Sequence, residues 1–150
     1  MSVRKATLSV VPTQIRISAI LTAAGESTRM GHPKALLEWH GVTLVEYQTT
    51  SLLKAGVTEV VVVLGNQHAL ITRHIRGQRI LPIVNKQYAN GKTTSIKAGL
   101  STIDLNAEGI LFLAVDQPRP SQIISSIINF HIRTGALITS PRHKGHGGHP

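Results

Sequence analysis

No cysteine occurs in the sequence, which removes disulfides and thiolate metal sites and makes an intracellular, cytoplasmic location the expectation. Aromatic residues make up only 3% of the chain, so a core must be built from Val, Ile, Leu and Ala. The same scarcity leaves little stacking surface for single-stranded nucleic acid, since Trp39, Tyr47 and Tyr88 stand far apart. No apolar run approaches the ~18 residues of a membrane-spanning helix. The first eighteen residues, MSVRKATLSVVPTQIRIS, carry basic groups but lack an adequate apolar stretch, so no signal peptide is expected. Negative charge is scarce too. Seven acidic residues stand against sixteen Lys and Arg, giving a net charge of +9 and a pI of about 10.7. Such a balance favours anionic partners. The basic residues are scattered, however, with the densest group only at Arg73, Arg76 and Arg79. A basic nucleic-acid-binding domain is therefore a reading to keep, but a disfavoured one.

With 41% hydrophobic and 15% charged residues in 150, the chain is long and apolar enough for one domain with a real core. Its apolar residues alternate in period. QIRISAILT (14–22) ends as a buried strand, and TLVEYQTTSLLKAG (43–56) reads as a helix with Leu44, Val45, Tyr47, Leu52 and Leu53 inward, closing on Gly56. TEVVVVLG (58–65) is a β-branched run suited to a strand buried on both faces. A short helix (67–77) precedes a strand, ILPIVN (80–85), in which Pro82 argues for an edge. KTTSIKAGLSTID (92–104) reads as a helix with Ile96, Leu100 and Ile103 on one face, and GILFLAV (109–115) as a buried central strand ending at Asp116. A helix with Pro120 at its first position (120–135) and a last strand, ALITS (136–140), follow. Five strand–helix alternations with apolar strands predict a mostly parallel sheet with helices on both faces. Ligands in such sheets bind at the carboxyl ends of the strands.

The loop after the first strand, LTAAGESTRMGHPK (21–34), is rich in small residues and ends in two cations, Arg29 and Lys34. Small residues let a ligand reach backbone N–H groups, which bond phosphate oxygens. The loop is neither a Walker A motif, since Gly25 and Gly31 are separated by five residues with no Lys following, nor a G-x-G-x-x-G fingerprint. Arg29 and Lys34 suit a triphosphate, one as a fork and the other as a point charge. As residues alone, they are equally readable as solvated loop cations. Asp116, one of two aspartates, follows directly on an apolar strand. A carboxylate there needs a cation, and either a lysine or Mg²⁺ could supply it.

The pattern L-T-A-A-G-x-S-x-R-M-G-x-x-K, matched from Leu21 to Lys34, resembles the signature of nucleotidyltransferases with a MobA-like domain, and among them the molybdenum cofactor cytidylyltransferases. Guanylyl-transferring members usually carry L-A-G-G in place of T-A-A-G. The resemblance continues through LGNQ, NGKTTSIKAGL, AVDQPRP and the terminal GGHP, covering residues 15–150 as one domain after an N-terminal extension, 1–14. It implies a Rossmann-like nucleotidyltransferase fold. Thr22, Ala23, Ala24 and Gly25 would line the nucleotide, Arg29 and Lys34 would hold the triphosphate and departing pyrophosphate, and Asp116 would be the Mg²⁺ ligand. Asn85 and Ser95 would bond base and sugar, although Ser95 reads equally as a helix residue. The implied reaction moves CMP from CTP to a phosphate monoester such as molybdopterin, with a molybdoenzyme or its chaperone as a further partner.

Three histidines, His143, His146 and His149, stand in the glycine-rich tail. Their spacing of three suggests a metal, but the glycines between them preset no geometry, and a Gly/His loop is the simpler reading. The resemblance makes His149 a candidate contact to the acceptor. Relatives of this kind continue past GGHP, so the C-terminal part of the fold is expected to be missing. That leaves a non-catalytic nucleotide-binding module as an alternative to the enzyme. The whole reading requires Lys34 and Asp116 to converge.

Overall fold

The computed structural model describes residues 15–25, 31–143 and 146–147. Four strands, β1 (Ile17–Ala23), β4 (Glu59–Leu64), β5 (Ile80–Val84) and β6 (Gly109–Ala114), form a sheet in the order β5-β4-β1-β6. Every pairing in it is parallel. A short antiparallel pair, β2 (Glu38–Trp39) and β3 (Val42–Thr43), leads into α1 (Leu44–Lys54). Helices α2 (His68–Thr72), α3 (Lys92–Leu100) and α4 (Ser121–Thr134) follow in turn, and a second small pair, β7 (Arg142–His143) and β8 (His146–Gly147), comes last.

The β-branched run behaves as its composition dictates. Val60, Val62 and Leu64 of β4 join Leu44, Val45 and Leu52 of α1 and Ile124 and Ile128 of α4 in one core, while Val61 and Val63 turn to the other face with Ile20. Helices therefore cover both faces of a parallel sheet, as the alternation predicts. Pro82 lies on the edge strand β5. On the second face α3 comes very close. A Cβ placed on Gly99 would stand 2.6 Å from Cγ2 of Ile20, so the absence of a side chain sets the helix–sheet distance.

Several expectations need correction. Residues 136–140 form no strand, and Leu137 and Ile138 are 99% and 87% exposed. An apolar pentapeptide becomes a strand only where a sheet edge receives it. The strand at 109–114 is an edge rather than a central strand among the described residues, which leaves Ile110 and Phe112 exposed. The helix expected over 67–77 is confined to α2, and that expected over 92–104 ends at Leu100, itself exposed because Ser95 and Gly99 face the sheet instead. Pro120 is the N-cap of α4 rather than its first helical residue.

The entry to α1 is fixed by a capping box. Thr43 Oγ1 accepts from the Glu46 N–H at 3.4 Å, and Glu46 Oε2 accepts from the Thr43 N–H at 2.9 Å. The hydrogen bonds from the Thr43 hydroxyl and then its N–H hold the Glu46 carboxyl below its ordinary range against an opposing desolvation, with His74 adding a lesser effect. Thr43→Ala should cost about 1 kcal/mol by urea denaturation at neutral pH. Because the folded-state pKa is lowered, the Glu46 contribution is present above the ordinary glutamate range and is lost as pH falls through the depressed value. The gap between wild type and Thr43→Ala should accordingly narrow in acid.

Candidate nucleotide site

Strand order reverses at β1. The chain passes from β1 to β4 and β5 on one side and returns to β6 on the other. The crevice above the carboxyl ends of β1 and β6 is thus the topological switch point, where α/β sheets bind ligands. The register pairs Thr22 with Ala114, so the segments leaving the two strands, Ala23–Gly25 and Val115–Asp116, depart side by side. Thr22 holds this junction together. Its carbonyl accepts from the Val115 N–H at 3.0 Å, and its hydroxyl donates to the Leu113 carbonyl at 3.5 Å.

The sequence-predicted residues distribute as follows. Ala23 and Ala24 are buried and Gly25 is exposed at the end of β1. The Ala24 carbonyl lies against Gly65, where an added Cβ would meet it at 2.5 Å. Lys34 begins a 3₁₀ turn, Lys34–Leu36, seated by the buried Ala35. Its Nζ stands 3.0 Å from Oδ2 of Asp116, across 82 residues of sequence, and both side chains are a little over two-fifths exposed (44% and 43%). The loop cation and the strand-end carboxylate therefore converge. Asn85 and Ser95 are buried and bonded to each other, Asn85 Nδ2 donating to Ser95 Oγ at 3.1 Å and to Thr94 Oγ1 at 2.8 Å, while Asn85 Oδ1 accepts from the Gln87 N–H. They brace the turn from β5 into α3. Arg29 and His149 lie outside the described residues.

The convergence bears on a metal. Among the described residues no three His, Cys, Asp or Glu side chains are grouped to hold one. A cation that demands a protein cage finds none among the described residues, whereas the one carboxylate of Asp116 suffices for a cation such as Mg²⁺ that completes its shell with phosphates and water. The ammonium of Lys34 already stands where a cation neutralises Asp116. A polar hollow of about 320 Å³ at the opposite ends of the strands is lined by Arg16, Glu59, Arg79 and Asp104. Its groups satisfy one another. Arg16 pairs with Asp104, and Glu59 Oε1 accepts from Ser18 Oγ and the Asp104 N–H. We read it as structural. No helix of the described residues is long and apolar enough to cross a membrane.

One residue of the site has no counterpart in the sequence expectations. Gln48 of α1 is fully buried and hydrogen-bonds to the segment that carries Asp116. The available signal was the spacing of Gln48, four residues from Leu44 and four from Leu52, which puts its amide on the apolar stripe of the helix.

Comparison with known proteins agrees with this fold. The chain is 39% identical over 105 residues to the nicotine blue oxidoreductase of Paenarthrobacter nicotinovorans, an alignment covering 68% of this chain and 50% of that protein. It is 31% identical over 135 residues to the molybdenum cofactor cytidylyltransferase of Escherichia coli, covering 89% of this chain and 68% of the relative. The chain thus spans from half to about two thirds of the length of these two curated relatives. The crystal structure of Rv0371c from Mycobacterium tuberculosis superposes with a TM-score of 0.78 at 24% identity, covering 92% of this chain and 70% of that one, which shows a shared fold. The manganese complex of the same protein superposes at 0.74. Residues 19–150 match the MobA-like NTP transferase domain throughout, and the chain belongs to that nucleotidyltransferase family.

Proposed function

We propose that the chain transfers a nucleotidyl group, CMP from CTP, to the phosphate monoester of a molybdopterin-type acceptor and releases pyrophosphate. The observation that carries this reading is the approach of Lys34 to Asp116 at 3.0 Å beside the small-residue turn of β1. The acceptor phosphate oxygen bonds to the α-phosphorus as the bond from that phosphorus to the β-phosphate oxygen breaks. The acceptor is already anionic, so no general base is required. What the protein supplies is alignment and charge neutralisation. The backbone of Ala23, Ala24 and Gly25 holds the phosphates, Lys34 and Arg29 offset charge gathering on the departing pyrophosphate, and Asn85 and Ser95 shape the wall for base and sugar. Asp116 is the residue that would hold Mg²⁺, which when bound neutralises phosphate oxygens and polarises the phosphoryl group. His149 is the proposed contact to the acceptor, and a molybdoenzyme or its chaperone would receive the product. We place the reaction in the cytoplasm, in a domain of residues 15–150 following an extension of fourteen residues.

Incubation with CTP, Mg²⁺ and molybdopterin, followed by a pyrophosphate assay, tests the proposal. CTP binding without pyrophosphate release would favour a nucleotide-binding module. One relative is named an oxidoreductase, so a parallel incubation with a reduced nicotinamide as electron donor and a redox dye as acceptor separates redox chemistry from transfer. Base preference has its own test. Ala24 is buried in the turn, and its methyl narrows the pocket relative to the glycine of the L-A-G-G form. Ala24→Gly should shift the ratio of kcat/KM for CTP over GTP toward GTP by about tenfold, the discrimination one methyl group affords. An unchanged ratio would place base selection elsewhere.

A further inference from the structure

Asp116 occupies a tight turn. The Gln117 N–H donates to the Ala114 carbonyl at 3.1 Å, so Asp116 sits third of the four residues of a β-turn at the end of β6. The turn is tied to β1 through the Val115 N–H and its carboxylate to Lys34, but neither contact reaches the backbone on the far side of Asp116. The structure supplies a brace from another element. Gln48 Nε2 donates to the Ala114 carbonyl at 3.2 Å and to the Gln117 carbonyl at 2.9 Å, and Gln48 Oε1 accepts from the Arg119 N–H at 3.3 Å. One side-chain amide thus grips the backbone before and after Asp116, using both of its N–H groups and its oxygen. Gln48 is fully buried, at a helix position flanked by Leu44 and Leu52, which are core residues. An apolar residue there would pack against the same core but take the donor from the Gln117 carbonyl and the acceptor from the Arg119 N–H, leaving the Ala114 carbonyl with the Gln117 N–H. A buried amide whose partners are all backbone atoms around one exposed carboxylate has a purpose beyond filling space.

We propose that Gln48 is a positioning residue for the reaction, fixing the turn that presents Asp116 to the cation of the bound nucleotide. The proposal rests on the nucleotidyl-transfer reading. Its test compares Gln48→Met, which keeps length and approximate volume but removes the donors and the strong acceptor, with Thr49→Val. Thr49 is the buried neighbour whose hydroxyl bonds only to carbonyls of α1 itself, those of Val45 and Glu46. Mn²⁺ affinity is measured by electron paramagnetic resonance in the presence of saturating CTP, at a temperature where circular dichroism shows both variants folded. Gln48→Met should weaken Mn²⁺ binding at least tenfold and lower kcat, with KM for CTP moving less than twofold. Thr49→Val should match wild type in both. Gln48→Asn, whose amide stops one methylene short of the turn, provides the same comparison if the methionine variant folds poorly, and should show the same loss. Equal Mn²⁺ affinity in wild type and the Gln48 variants would overturn the proposal while leaving the transfer reading intact. Failure of the wild-type protein to bind Mn²⁺ with CTP would overturn both.

Discussion

Replacing Lys34 by methionine should move two affinities in opposite directions. In the free protein the ammonium neutralises Asp116 at 3.0 Å, so an incoming metal ion must compete with it. Without that competitor, Mn²⁺ alone should bind Asp116 more tightly by about fivefold, the effect of roughly 1 kcal/mol between unit charges at this separation in a watery setting. CTP binding should weaken instead, and turnover should fall by about 10²–10³-fold, as expected when one preorganised charge opposite the leaving group is removed. Asp116→Ala should lose Mn²⁺ binding altogether, with turnover reduced by about 10³-fold or more. Neither variant should unfold the protein. Both side chains are more than two-fifths exposed, and a pair in that setting contributes about 0–1 kcal/mol. This small value is consistent with the proposed roles, in which the bond opens each time a nucleotide arrives. Calorimetric titration with Mn²⁺, with and without CTP, measures both signs. Equal metal affinity in Lys34→Met and wild type would separate the ion pair from the site.

The second large effect is expected at a residue without a side chain. A methyl group on Gly65 would fall 2.5 Å from the Ala24 carbonyl and 2.9 Å from Cγ of Tyr88. The first of these is backbone and cannot rotate away. Gly65→Ala must therefore push the turn of β1 aside or part β4 from it. Overpacking of this kind costs about 1–3 kcal/mol, which should appear as a lowered urea midpoint. Because the displaced atom belongs to the proposed phosphate-binding turn, CTP affinity should drop more than tenfold even where the variant is fully folded, a change of about 1.4 kcal/mol. Loss of stability with normal CTP binding would show that Ala24 does not contribute to the nucleotide site.

These two sites also show how far the residues alone could be read. Strand β4 was legible because a β-branched run can be satisfied only by burial on both faces, β1 because its apolar run breaks into a small-residue loop, and Pro82 announced the edge. The cluster at the strand ends was legible only in part. A lone Asp after an apolar strand asks for a cation, but Lys34 read alone was equally a solvated loop residue, and only the resemblance of the loop from Leu21 to Lys34 singled it out. Gln48 was obscure because a polar residue in an apolar helical stripe looks like a blemish until its partners, up to 71 residues away, are known. Gly99 was obscure for the converse reason. Glycine in a helix counts only as lost stability until the helix is seen pressed against Ile20. The segment 136–140 misled because apolar β-branched composition describes what a strand wants, while a neighbour with unpaired backbone decides whether it becomes one.

The order of strands sets a timetable for synthesis. Strand β1 emerges early, yet its neighbours are β4, whose Glu59 meets Ser18, and β6, whose Gly109 meets Ile17. At about 5–20 residues per second a ribosome needs seconds to supply the second neighbour. For that interval β1 waits half-paired, with one ladder of N–H and C=O groups open to any passing strand. Distant pairings of this kind fold slowly, and the first-made strand of the sheet is among the last to be enclosed.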